Sequence, residues 1–67
     1  MTTIATVIDR KMREKKLTTR LLSEKIGVHP QTVQWWRNGR RIPRAEYILP
    51  LSAALDLPVE TLLSSTN

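Results

Sequence analysis

GVHPQTVQWWRNG, residues 27 to 39, is the stretch whose reading decides the fold. Gly27 can turn one helix away from the next, Pro30 suits the first position of a new helix, and Asn38-Gly39 can stop it. The spacing therefore predicts a short helix of little more than two turns. Val33 and Trp36 lie three apart and face inward together, which leaves Gln31, Thr32, Gln34 and Trp35 to face outward. An exposed row of amide and aromatic groups suits reading a surface better than it suits chemistry.

What precedes and follows this stretch reads as further helix. Thr2 or Thr3 can cap a first helix whose stripe is Ile4, Ile8 and Met12, widened by Val7, and which ends near Lys16. Thr18 caps a second, with Leu17 placed to pack on Leu22 as a hydrophobic staple; Leu22 and Ile26 point inward and Gly27 ends it. Only Val28 and His29 separate Gly27 from Pro30, a connection too tight for two helices to lie antiparallel with ease, so a steep crossing is expected. His29 occupies the cap of the third helix although histidine is a poor cap by preference; it is read as an exposed side chain at the margin of the outward face. A fourth helix from about Ala45 to Leu55 places Ile48, Leu51 and Leu55 on one side, with Pro50 expected to kink it or to sit in an early turn. Val59 to Leu63 gives a short fifth helix with Leu62 inward, and residues 64 to 67 are expected to fray. There is no internal repeat, low-complexity tract or long linker, so residues 1–67 read as one all-α, five-helix domain.

With 67 residues the chain has room for one small core, and a chain of this size buries only about 60% of its unfolded surface. It contains no cysteine, so neither a disulfide nor a thiolate metal site can reinforce it, which leaves helix packing and self-association. No apolar run approaches the roughly 20 residues that span a bilayer, and MTTIATVIDRK lacks the basic start and apolar core of a signal peptide, which points to a cytoplasmic protein. The formal net charge is +5. Residues 1 to 44 hold all eleven Lys and Arg against Asp9, Glu14 and Glu24, net +8, while residues 45 to 67 hold only Glu46, Asp56 and Glu60, net −3. A chain so divided favours a polyanion, and nucleic acid ahead of membrane because the cations do not line one long amphipathic helix. The basic loop Arg40-Arg41-Ile42-Pro43-Arg44 lies directly past the outward face. From these positions Thr18, Thr19, Asn38, Arg40 and Arg41, followed by Arg37 and Arg44, are the expected phosphate contacts. The sole histidine has no acid or nucleophile at a meaningful spacing, and there is no glycine-rich phosphate loop or metal-ligand cluster. No enzyme, cofactor, metal or small-molecule ligand is therefore expected.

Two helices joined by a glycine-led turn, the second short and polar outside, match the DNA-binding helix-turn-helix. From LTTRLLSEKIGVHPQTVQWWRNGRRIP onward the chain resembles the Cro and lambda-repressor class, the XRE family. That family's pattern of leucine, capping hydroxyl, Leu-Ala, Gly-Val, variable reading helix, Trp, Gly and Pro falls here on Leu17, Thr18, Leu22-Ser23, Gly27-Val28, residues 29 to 35, Trp36, Gly39 and Pro43. The match continues through Ile48, Leu51, Ser52, Leu55, Leu57, Leu62 and Leu63. The resemblance implies a lambda-repressor-like fold with the helix-turn-helix at helices 2 and 3. Three departures stand out. Thr19 replaces the usual phosphate-holding glutamine, and Ser23 replaces the usual alanine. Met12 and Arg37 stand where many members pair an arginine of the first helix with a glutamate of the third; with both partners absent, the first helix is expected to pack there through Met12 and to leave Arg37 free for solvent or a phosphate.

The resemblance also implies where bases are read: at Pro30, Gln31, Gln34 and Trp35, with His29 and Thr32 at the margin. Gln31 has the chemistry for bidentate bonding to adenine, and Pro30 can touch a thymine methyl. Trp35 either presses on a thymine methyl or sugar or covers the core edge or a subunit interface. The function implied is a sequence-specific regulator, most simply a Cro-type or small prophage repressor. It would bind a near-palindromic double-stranded DNA operator as a homodimer, with half-sites about 34 Å apart, through helices 4 and 5 and the tail, using Leu49, Val59 and Leu63. The competing class is a helical protein-interaction module, an antitoxin or adaptor with the same fold; the basic loop and polar third helix weigh against a purely protein-binding role.

Overall fold

Threonine, histidine and glycine mark the boundaries that organise this chain. The computed structural model describes residues 3–64, which form five helices: α1 (Ile4–Lys15), α2 (Thr19–Ile26), α3 (Pro30–Asn38), α4 (Ala45–Leu55) and α5 (Val59–Ser64). Thr3 caps α1, its Oγ1 accepting from the Thr6 amide at 3.2 Å; the alternative cap, Thr2, lies outside the described residues. Thr18 caps α2 through the Leu21 amide at 3.0 Å. Such caps satisfy amides that have no partner within the helix, and each contributes about 1 kcal/mol.

The helix exits share one device. Lys16, Gly27, Gly39 and Asp56 all take the left-handed conformation, and the amide of the next residue turns back to a carbonyl of the last turn. Leu17, Val28 and Leu57, the residues so turned after α1, α2 and α4, are half-buried against the core. The two helices of the helix-turn-helix end on the residue without a Cβ, whereas α1 and α4 end on Lys16 and Asp56 at some conformational cost. Pro50 is the sixth residue of α4, and the helix runs through it unbroken. Ser64, expected to fray with the tail, instead closes α5, where its hydroxyl donates back to the Thr61 carbonyl at 3.4 Å; residues 65–67 lie outside the described residues.

Packing follows the apolar stripes. α3 lies against α1 and α2, while α4 packs on α1, α2 and α5. Ile4, Ile8, Met12, Leu22, Val33, Trp36, Ile48, Leu51, Leu55 and Leu62 form one buried cluster. Trp36 meets Tyr47 of α4 with ring centroids 5.4 Å apart and planes tilted by 48°, a favourable aromatic geometry that ties α3 to α4. Ser23 is buried where α2 needs a small residue, and its hydroxyl donates to the Arg20 carbonyl at 2.6 Å, so the polar atom brings no unpaired group into the core.

Candidate nucleic-acid interface

The outward face of α3 begins at His29. Its Nδ1 accepts from the Gln31 amide at 3.0 Å, so the side chain serves as a working N-cap. The expected cap position and exposure of His29 hold, and the side chain is committed to the cap rather than idle. The physical reason is local: with Pro30 at the first position, the Gln31 amide is the first free donor, and a ring nitrogen two residues back can reach it. Gln31 and Gln34 are exposed, Thr32 and Trp35 are half-buried, and Val33 and Trp36 are buried behind them.

Trp35 is partly covered by the loop that follows the helix. The Arg41 guanidinium lies over its ring, 4.6 Å from the centroid, a cation–π contact worth about 0.5–1 kcal/mol at an exposed site. With Thr32, Trp36, Arg44, Glu46 and Tyr47 it also lines an open hollow between α3 and the start of α4. Trp35 thus joins the outward face to the basic loop. In that loop the Asn38 Oδ1 accepts from the Arg40 amide at 3.0 Å, which uses the oxygen and leaves the amide nitrogen as a donor. Arg40, Arg41 and Arg44 are exposed. Thr18, whose oxygen caps α2, retains its hydroxyl proton for an outside acceptor.

Arg37 departs from the sequence expectation. Instead of being free for solvent or a phosphate, it is a half-buried member of an ion pair with Asp9 of α1: Nη2 lies 2.6 Å and Nε 2.8 Å from Asp9 Oδ1. Asp9 Oδ2 also receives Arg13 Nε at 3.0 Å. The arginine-to-glutamate link described for the family is therefore present with its polarity reversed. Its acid is one turn earlier in α1, three residues before Met12, while Met12 itself is buried. That spacing was available in the sequence, since residues three apart share a helix face. Asp9 is the residue that the sequence reading missed, and Arg37 leaves the set of free cations. Removal of both side chains tests the link: a double-mutant cycle on Asp9→Ala and Arg37→Ala, read by urea denaturation, should give a coupling of about 1–2 kcal/mol. Additive losses would show that the two residues stabilise the chain independently.

Arg37 extends the link further. Its Nη1 donates to Thr19 Oγ1 at 2.9 Å, and Thr19 Oγ1 lies 3.3 Å from Gln34 Oε1. Asp9, Arg37, Thr19 and Gln34 thus form a continuous polar chain from α1 to the exposed face of α3. Among the described residues no cluster of three or more His, Cys, Asp or Glu side chains could hold a metal ion, and no helix is long and apolar enough to cross a membrane.

The five-helix fold has counterparts among known structures. The chain superposes on the P22 c2 repressor, solved in complex with a synthetic operator, with a TM-score of 0.89 over 96% of this chain and 97% of that one; at 23% identity this likeness concerns the fold. SinR, a master regulator for biofilm formation solved in complex with DNA, is 28% identical, with a TM-score of 0.82 over 92% of this chain and all of that one. The N-terminal DNA-binding domain of SinR from Bacillus subtilis gives 28% identity and a TM-score of 0.81 over 92% of this chain and 91% of that one. No curated protein sequence matches the chain at a significant level. The helix-turn-helix family model HTH_3 matches residues 10–62, a span that includes both helices of the turn, the inward pair Val33 and Trp36, all of α4 and parts of α1 and α5. On that match, the chain belongs to the XRE-type helix-turn-helix family.

Proposed function

We propose that this protein is a sequence-specific DNA-binding transcriptional regulator, acting as a repressor by occupying its operator. The observation that carries the reading is the juxtaposition on one side of the molecule of an exposed amide face on α3 with the basic loop Arg40–Arg44, Trp35 and Arg41 being in contact at the seam. Amides that can bond base edges in the major groove and cations that can hold the flanking phosphates are then presented together. The family and the DNA complexes of the P22 c2 repressor and SinR support the same reading. Residues 1–67 act in it as one domain, with no role as an enzyme and a place of work on DNA in the cytoplasm.

Within this reading Gln31, Gln34 and Trp35 face the bases, with Pro30 and Thr32 at the edge of the contact, and Thr18, Asn38, Arg40, Arg41 and Arg44 face phosphates. A single headpiece covers few base pairs, so the operator is near-palindromic and is held by a homodimer. Leu49 and Leu63, 70% and 67% exposed on α4 and α5, supply an apolar surface for that dimer, with Val59 half-buried beside them on α5. The same leucines would serve the competing reading, a protein-interaction module.

Selection from double-stranded DNA with a random core, followed by gel shifts over a salt titration, tests the proposal. Enrichment of a two-fold motif with half-sites about one helical turn apart is expected; failure to enrich any motif at low salt would sink it. Trp35 supplies a second measurement. Its fluorescence should change when the selected DNA binds, and Trp35→Ala should lose about tenfold more affinity for the selected sequence than for random DNA. An equal loss for both would remove Trp35 from base reading.

A further inference from the structure

Between the first turn of α1 and the loop that leaves α3 the surface is not closed. We infer that the cleft there binds a small amphipathic carboxylate, an aliphatic or aryl acid of about eight or nine carbons, and that its occupancy weakens the hold of the basic loop on DNA. Binding of the acid is independent of the proposed function, and only its effect on DNA rests on that reading.

The cleft exists because the side chains that meet there are short. Ala5 faces Gly39, and a Cβ added to Gly39 would lie 3.8 Å from that of Ala5, so the missing atom leaves an ordinary contact unfilled. Gly39 holds this place because its φ of 81° at the end of α3 suits a residue without a Cβ. Ile4 and Ile42 complete an apolar lining around a volume of about 220 Å³, and Ile42 is 52% exposed although Pro43 beside it is buried. An apolar body that fills the cleft removes this surface from water, which favours its binding. The lining comes from two stretches far apart in the chain, which is why nothing in the sequence marks it.

The charge is supplied by Arg40, which lines the same cleft and is exposed. Its backbone amide is bonded to the Trp35 carbonyl and to Asn38 Oδ1, and no ion pair among the described residues involves its guanidinium. No acid lines the cleft, and the guanidinium of the neighbouring Arg41 is turned onto Trp35. One uncompensated cation beside an apolar volume fits one acid group on an apolar body. The carboxylate takes the guanidinium in a forked pair, and the body replaces water at Ile4, Ala5 and Ile42. An apolar cavity of about 150 Å³ holds benzene, so 220 Å³ has room for a ring with a short side arm or an equivalent chain. The same guanidinium is one of the loop cations that face phosphates, so an acid bound to it removes one phosphate contact.

The test uses the full chain with octanoate and phenylpropionate, each compared with its neutral amide and with acetate. Proton–nitrogen correlation spectra without DNA should show saturable shifts at the amides of Ala5, Gly39, Arg40 and Ile42, with a dissociation constant on the order of 0.1 mM. The neutral amides and acetate should bind about tenfold more weakly, the former for want of charge and the latter for want of an apolar body. Ala5→Leu, which fills the cleft, should abolish the shifts, and Arg40→Gln should bring octanoate down to the affinity of octanamide. Thermal melts should show both variants folded; Arg40→Gln, a surface change, decides alone if Ala5→Leu does not fold. With random DNA, saturating octanoate should lower affinity about three- to fivefold per protomer, the share of one loop cation, and should leave Arg40→Gln unaffected. Shifts absent or scattered over the basic surface at about 5 mM acid, equal binding of acids and amides, or variants that bind octanoate as the wild type does overturn the site. Localised acid binding with DNA affinity unchanged overturns the opposition to DNA. Failure to select any DNA motif is a failure of the proposed function, and the amide shifts then decide the site by themselves.

Discussion

Replacement of Trp36 by alanine should leave most of the chain unfolded at 25 °C, with loss of the helical far-ultraviolet circular dichroism signal and of a cooperative urea transition. Trp36 is 2% exposed and is the largest side chain in the core, with Tyr47 stacked against it from α4. Deleting a buried tryptophan costs about 3–5 kcal/mol, from the lost transfer of its surface and from the cavity left behind. A domain of this length has a total stability of roughly 3–10 kcal/mol. The loss is therefore comparable with the whole, and no disulfide is present to compensate. Trp35→Ala is the paired control. Trp35 is half-buried and its ring meets Arg41 rather than the core, so that variant should cost about 1 kcal/mol and stay folded. If Trp36→Ala were as stable as Trp35→Ala, the assignment of inward and outward faces on α3 would be wrong.

That pair of adjacent tryptophans shows why the fold was legible in the sequence. Periodicity separates Trp35 from Trp36 because a helix turns by 100° per residue, and the partners Val33, Leu22 and Met12 sit at spacings that permit no other inward face. Caps and stops were equally legible, because Thr18, Pro30, Gly27 and Gly39 act within a turn of the residue they serve. The site was legible only in part. Gln31, Gln34 and the arginines past Gly39 are exposed because of where they fall on one helix and its loop. The chain from Asp9 through Arg37 and Thr19 to Gln34 joins three helices across gaps of 28, 18 and 15 residues; local spacing puts Asp9 on the face of Met12 but does not record the links between helices. Arg37 falls outside the family pattern because its partner is not at Met12 but one turn earlier, where Asp9 keeps the ion pair with its charges exchanged. His29 was legible as the cap by position, but its capping bond was not, because a general cap preference does not include the proline that brings its ring nitrogen within reach of the Gln31 amide.

The exchanged ion pair makes the salt dependence of DNA binding a sharp measurement. Each phosphate neutralised by a cation releases counterions, so log K falls with log salt by about 0.9 for every such contact on B-DNA. Arg40, Arg41 and Arg44 are exposed and carry uncompensated charge, so changing all three to alanine should reduce the slope by about 2.5–3 for each protomer bound. By the same relation, affinity at 0.15 M salt should drop roughly a hundredfold per protomer, to a similar degree for selected and random DNA, because phosphates carry no sequence. Arg41 contributes to both readouts. Its stacking on Trp35 holds the guanidinium beside α3, so Arg41→Lys should keep the slope while weakening the fluorescence response of Trp35. Arg37 is the internal standard: its charge is met by Asp9, so Arg37→Met should leave the slope within about half a unit of wild type and act instead on stability. A slope change at Arg37 as large as that at Arg40 would mean that the ion pair opens on binding and that the cation belongs to the phosphate set after all. Equal insensitivity at Arg40, Arg41 and Arg44 would place the DNA on a different face of the molecule.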